Sequence, residues 1–300
     1  MFKNATLYRF TRDPNVARPT PIEDHLQARA FTPCAPSQEK SVGWVPPRGE
    51  AHGPLRESVS GQWIFKLMVE SKRVPAEVLQ RAVAEACAQI EADTGRKPGK
   101  KQRKEIAEDA KLTLLPMAFA IRSSVLVWLD PVSGVLLIDT TSAALVDEVV
   151  SQLVFAINGF SLQPIITKTL PADAMAHWLS DDDCHPAGFA LDRACELHAP
   201  DETKAKVKYS NHALDIPEIR QHLTAGKVPV RLGMTYDGRV SFTLTDGLTL
   251  KGIAFLDGTI DVGATLDSDV FDVDVTLATG ELQRLIPSLL AALDGEPVAL

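Results

Sequence analysis

Three Asp-Gly dipeptides, at 237, 246 and 257, punctuate the C-terminal third of this 300-residue chain at the spacing of hairpin turns. Asp-Gly suits a two-residue hairpin loop because both of its central positions need positive φ, which these residues adopt at little cost. The runs Val228 to Met234, Val240 to Leu244 and Leu248 to Phe255 alternate with those turns, so residues 227–262 read as an antiparallel meander.

Upstream the order of elements is mixed. Residues 3–10 alternate as a strand, Pro21 to Ala30 reads as a short helix, Ala35 to Pro54 as mostly loop, and Trp63 to Ser71 as a strand. Pro75 opens a helix in which Leu79, Val83, Ala86 and Ile90 recur at helical spacing until Gly95. A second helix is predicted from Lys100 to Leu115, ended by Pro116, with Ile106, Ala110 and Leu114 on one face. Phe119 to Leu129 and Gly134 to Thr140 form a strand pair around an Asp-Pro-Val-Ser-Gly turn, followed by a helix from Ser142 to Ile157. Gly188 to His198 and Lys204 to Tyr209 read as strands, Ile216 to Thr224 as a helix, and Leu282 to Leu293 as a last helix that Pro287 kinks or restarts. Helices and strands without regular βαβ alternation define an α+β class. The hairpin at 75–115 is expected to protrude from the N-terminal body, with the acidic meander and last helix as a lobe of their own.

Charge is distributed unevenly. The net charge is −8, yet Arg96, Lys97, Lys100, Lys101, Arg103 and Lys104 place six cations in nine positions with no acid among them. Residues 241–300 hold ten acids and two bases, so the excess acid belongs to the C-terminal segment and the remainder is balanced. The overall charge therefore does not exclude an anionic partner, and the basic run belongs at the tip of the helical hairpin, where it can reach one. The N-terminus lacks the pattern of a secretory signal. The apolar stretch Val125 to Ile138 is interrupted by Asp130, Pro131 and Gly134 and falls short of the roughly 20 residues of a membrane span. Cys34, Cys87, Cys184 and Cys195 form no paired or zinc-like spacing, as expected of free thiols in a reducing cytoplasm.

Nucleophile-elbow, Walker and dinucleotide-binding motifs are absent from the sequence, so no enzyme class has positive support and a non-catalytic protein is expected, with no cofactor and no metal. Asp181-Asp182-Asp183-Cys184-His185 gathers metal-ligand types, and a metal-dependent nuclease is the alternative reading. Consecutive residues point in different directions, which argues for a polar loop. In a strand, Lys204, Lys206 and Lys208 would share one face, a geometry that suits either a phosphate backbone or a lysine-protected edge. Arg122 lies at the base of the hairpin. No aromatic series accompanies the basic run, which argues against dedicated single-strand recognition.

Several blocks fall in a recognisable order: Phe2-Lys3-Asn4 with Tyr8-Arg9, Ala30-Phe31-Thr32-Pro33-Cys34, Gly43-Trp44-Val45-Pro46-Pro47, Leu114-Leu115-Pro116-Met117-Ala118-Phe119, Ala187-Gly188-Phe189, Ala225-Gly226-Lys227-Val228 and Thr279-Gly280-Glu281-Leu282. Nearly end to end, the chain resembles the recombination-associated protein RdgC family of proteobacteria. The resemblance implies a ring-shaped homodimer that binds double-stranded DNA without sequence preference, single-stranded DNA being a further candidate. It also implies restraint of the recombinase RecA through occupation of its DNA, in the cytoplasm at the nucleoid and not at a membrane. It implies a central body (1–72 and 117–170), a tip (73–116 with part of 171–225) and a C-terminal antiparallel base (226–300). Arg96 and Lys97 match the family's basic pair and Phe119 its aromatic at the ring opening, whereas a position that is basic in a relative is Met117 here. The expected DNA-binding set is therefore Arg96, Lys97, Lys100, Lys101, Arg103, Lys104, Phe119, Arg122, Lys204, Lys206 and Lys208.

Overall fold

The computed structural model describes residues 1–12, 22–157, 159–180, 184–202, 204–214, 216–256 and 267–297, with backbone only at 267–269. The chain runs β1 (Asn4–Arg12), α1 (Ile22–Gln27), β2 (Lys40–Val45), β3 (Arg56–Val59), β4 (Gln62–Lys72), α2 (Ala76–Thr94) and α3 (Lys100–Leu114). A short 3₁₀ turn (Leu115–Met117) leads to β5 (Ala120–Asp130), β6 (Val135–Ile138), α4 (Ala143–Ala156), β7 (Phe160–Pro164) and α5 (Pro171–Ser180). The remainder is β8 (Phe189–His198), β9 (Lys206–Ser210), α6 (Pro217–Thr224), β10 (Val228–Tyr236), β11 (Val240–Thr245), β12 (Thr249–Phe255) and α7 (Asp267–Ala292).

The twelve strands among the described residues form one sheet, in the order β2-β4-β5-β6-β1-β12-β11-β10-β8-β9, with β3 on β4 and β7 on β1. Every pairing between these strands is antiparallel, as the meander and the strand pair led one to expect. Strand β1 is the joint. One edge bonds β6; the other bonds β12 through Asn4–Thr6 and then β7 through Tyr8–Arg12. The acidic C-terminal segment is thus continuous with the N-terminal half through the sheet, so the expected lobe boundary at 226 is no break in the hydrogen bonding.

Side-chain alternation assigns the two cores. On one face Leu7, Ile64, Trp128 and Leu137 join Leu197, Leu232, Leu244 and Leu250 beneath Trp178 of α5, Ile219 of α6 and Leu285 and Leu289 of α7. On the other, Phe65, Leu67, Val127, Leu129, Leu136 and Ile138 pack under Leu26 of α1 and Val149 and Leu153 of α4. Strands β5 and β6 are covered on both faces, which is why Val125 to Ile138 reads as a nearly unbroken apolar run rather than an alternating one. Trp128 is buried and donates its indole N–H to Gln62 Oε1 at 2.8 Å.

Three segments depart from expectation. The Pro- and Gly-rich stretch 35–54 contains β2, whose Trp44 is fully buried against Phe65. Its partner in register is β4, Trp44 opposite Leu67, and that pairing outweighs the loop-like composition around it. The last helix begins at Asp267 rather than Leu282 and contains Pro287 within its span. Val275, Ala278, Leu282, Leu285 and Leu289 keep one buried stripe across it, while Asp272, Asp274 and Glu281 between them hide the period. Strand β9 starts at Lys206, so Lys204 lies outside it with φ of 48°.

Turn chemistry is only partly as the dipeptides imply. Asp237 and Gly238 both have positive φ, as the β10–β11 hairpin requires. At the β11–β12 connection the positive φ falls on Leu248 instead, and the Leu248 N–H donates to Thr245 O. Asp257-Gly258 lies outside the described residues.

Candidate nucleic-acid interface

Helix α2 ends where Gly95 turns left-handed, at φ 69°, and its N–H donates to Glu91 O at 2.8 Å. Arg96 and Lys97 follow, and Gly99 starts α3 without a side-chain cap. The first turn of α3 carries no acid, so Lys100, Lys101, Arg103 and Lys104 crowd the positive end of that helix. Such placement weakens the helix in isolation and concentrates positive potential. All six cations of the run are exposed. Lys97 approaches Glu91 at 3.8 Å and Lys104 approaches Glu108 at 3.7 Å, solvent-exposed pairs of small energetic weight. Among the described residues, Arg96, Lys100, Lys101 and Arg103 have no carboxylate partner.

The two helices pack chiefly on one another: Cys87 is the buried residue of α2, and α3 has none among the described residues. An open cavity of about 490 Å³ on this pair is lined by Leu79, Val83, Cys87, Pro98, Arg103 and Ala107, among others. Lys111 of α3 ties the hairpin to Glu39 at 2.7 Å. At its foot Phe119 is 92% exposed, beside exposed Met117 and Ile121. Together Met117, Phe119 and Ile121 leave apolar surface in water at the foot of the hairpin.

Arg122, a candidate contact by sequence, is ion-paired while its side chain stays exposed. Its Nε donates to Glu70 Oε2 at 2.6 Å, directly across the β4–β5 ladder, and its guanidinium lies over the Phe31 ring at 5.5 Å. Glu70 also accepts from the Cys34 backbone N–H at 2.7 Å. The Arg122 hydrogen bond, with that of Cys34, holds the Glu70 carboxyl below the usual range; burial and the neighbouring Glu70 push the Cys34 thiol up. The Phe31-Thr-Pro-Cys34 block is thereby a clasp across β2 and β4.

Lys206 and Lys208 share the exposed face of β9 as alternation requires, whereas Lys204 precedes the strand and is exposed separately. Register brings in residues that linear reading missed. Glu196 stands opposite both Lys208 and Arg231, and accepts from Arg231 Nη1 at 3.1 Å and pairs with His198 Nε2 at 2.7 Å. Their only sequence signal is alternation within β8 and β10, which shows the face but not the partner. Cys184 is half-buried and His185 exposed; Asp181, Asp182 and Asp183 lie outside the described residues. Among the described residues there is no group of three or more His, Cys, Asp or Glu placed to hold a metal. No described helix is long and apolar enough to cross a membrane.

Fold and surface together define a mixed α/β protein on one large antiparallel sheet, with bare cations gathered on a helical hairpin. The chain belongs to the RdgC family: residues 1–296 match the family model described as "Putative exonuclease, RdgC". It is 39% identical to the recombination-associated protein RdgC of Dechloromonas aromatica, over 99% of this chain and 98% of that one. It is 38% identical to that of a Janthinobacterium species and 39% to that of Cupriavidus pinatubonensis, each over 98% of both chains.

Proposed function

We propose that this chain binds DNA without sequence preference, as a ring-shaped homodimer that encloses the duplex and restrains RecA by occupying DNA at the nucleoid. The observation that carries the reading is the exposed set Arg96, Lys100, Lys101 and Arg103, cations without carboxylate partners among the described residues, in a family named for recombination. Lys and Arg contacts to phosphate release counterions and read no bases, so binding is strong at low salt and indifferent to sequence. Phe119 adds an apolar contact at the hairpin foot, and the open groove on α2 and α3, apolar at Leu79, Val83 and Ala107 and rimmed by Glu91, Lys97 and Arg103, is the surface through which two tips meet. The hairpin then forms the tip, 1–72 with 117–170 the body, and 226–300 the base.

The test is anisotropy of a labelled duplex across a salt series, with Arg96, Lys97, Lys100 and Lys101 changed together to Ala. Each lost phosphate contact is expected to flatten the slope of log K against log salt by about 0.9. An unchanged affinity and slope removes the hairpin from the interface. Particle images with a central hole wide enough for a duplex test the ring.

In this reading the chain acts without catalysis. The family description names an exonuclease, so the opposing outcome is direct: DNA degradation with Mg²⁺ or Mn²⁺ that disappears on Asp182→Ala makes the protein a nuclease.

A further inference from the structure

The geometry points to a second phosphate-contacting surface, the uncovered face of the β8–β12 half-sheet, with Arg231 and Lys251 as its contacts and Glu196 as an internal competitor of phosphate. The inference rests on the DNA reading above and extends it from the hairpin to the sheet.

Parity places the residues. Leu197, Leu232, Leu244 and Leu250 point into the core beneath α5, α6 and α7, so their neighbours Glu196 and His198, Arg231, Thr243 and Thr245, and Lys251 point to the other side. Register aligns them across the strands: Lys208 faces Glu196, Glu196 faces Arg231, Arg231 faces Thr245, and Thr243 faces Lys251. Adjacent strands lie about 4.8 Å apart, so these side chains form a continuous polar band. On the N-terminal half of the sheet the same side is closed by α1 and α4, whereas α5, α6 and α7 all pack on the opposite side of the C-terminal half. Between the two lies a polar cavity of about 360 Å³, lined by Thr141, His198, Arg231, Thr249 and Lys251, with Glu196 and Asp246.

Charge makes this more than an ordinary wet sheet face. Lys206, Lys208, Arg231 and Lys251 outnumber Asp192, Glu196 and Asp246 on that face, in a chain of net charge −8. The acids of α7 lie across the sheet, where Asp272 meets Arg48 and Glu281 meets Arg239 and Arg284. The sheet thus separates a cationic face from an acidic helix. Lys251 has no carboxylate partner among the described residues. Glu196 sits among His198, Arg231 and Lys206, which hold its carboxyl below the usual range, His198 foremost. A carboxylate held by the cations that would hold a phosphate competes with it for the same donors and, while it does so, keeps Arg231 oriented.

The experiment is the same labelled-duplex salt titration on the full chain, with melting curves as a check of folding. Arg231→Ala with Lys251→Ala is expected to flatten the salt slope by about 3.6 and to weaken binding at 0.1 M salt at least about tenfold, two contacts being lost from each subunit of the proposed dimer. Glu196→Gln is expected to tighten binding at least about threefold and steepen the slope by up to about 1.8, as Arg231 is released to phosphate in both subunits. Thr243→Lys, opposite Lys251, adds a cation to each subunit and is expected to steepen the slope by about 1.8. Should the double variant fail to fold, the Glu196→Gln and Thr243→Lys arms decide. If those variants match the wild type while the hairpin variant binds weakly, the sheet face is no DNA surface and the hairpin reading stands. If the wild type itself does not bind DNA, both fall together.

Discussion

Glu70 and Gly43 explain, residue by residue, why the Phe31-to-Cys34 and Gly43-to-Pro47 blocks exist. A Cβ at position 43 would lie 2.4 Å from Phe31 Cα and 2.5 Å from Phe31 N, backbone atoms that cannot swing aside. The close approach lets the Phe31 N–H donate to Trp44 O and the Trp44 N–H to Arg29 O, each at 2.9 Å. Gly43→Ala is therefore expected to destabilise the fold by about 1–3 kcal/mol, the usual range for forced overpacking, read as a lower midpoint in urea with an unchanged m-value. Glu70 makes a prediction in pH. Its folded value is lowered from the ordinary 4.5, so its stabilisation is complete above that value and is lost as pH falls through the lowered one. Glu70→Gln is expected to shrink the fall in melting temperature between pH 7 and the acid range; an identical fall in both proteins would show that the clasp holds no charge-dependent stability. These roles were invisible in the linear sequence, which shows the blocks as signatures. Gly43 and Glu70 acquire meaning only once a loop, β2 and β4 are brought together across 36 residues of chain between Cys34 and Glu70.

Among the elements, the hairpin was legible because its punctuation is local: Pro75 before α2, Gly95 at its left-handed end and Pro116 just after α3. The β10 to β12 meander was legible for the same reason, through alternation and turns. Helix α7 and strand β2 were not, since acids break the apparent period of one and Pro and Gly surround the other, and in both the deciding contacts come from distant strands. The candidate site divides in the same way. The six cations of the hairpin could be read directly, whereas the Glu70 partner of Arg122 and the Arg231 partner of Glu196 are cross-strand relations set by register. Arg122→Ala is accordingly expected to cost stability more than DNA affinity: a lower melting temperature from the unpaired Glu70, with a salt slope changed by less than about 1.8, the value of one contact in each subunit. A slope that flattens by a full contact in each subunit, with no loss of stability, would place Arg122 in the interface.

For the whole molecule, two-fold symmetry makes a quantitative demand on the proposed ring. A closed dimer presents each basic tip twice to one duplex, so the number of phosphates neutralised, and with it the salt slope, is the sum over both subunits. The groove beside Val83 and Cys87 is also lined by Lys97 and Arg103, so a neutral substitution is the means of separating the subunits while every cation keeps its charge. Val83→Asn places a neutral amide on a half-buried position of α2 that, in the proposed dimer, faces the partner's tip, and desolvating an unpaired amide there opposes association. Light scattering is expected to show a smaller share of dimer, and the salt titration of the monomer fraction a slope about half that of the wild type. A monomer with the full slope would mean that one subunit makes every contact and that the ring contributes persistence alone. A variant that remains dimeric with the full slope would place the principal interface at the other end of the molecule, where β9 leaves an edge of the sheet unpaired among the described residues. The half-slope is the outcome that ties the symmetry of the ring to the chemistry of the hairpin, because no rearrangement within one subunit reproduces it.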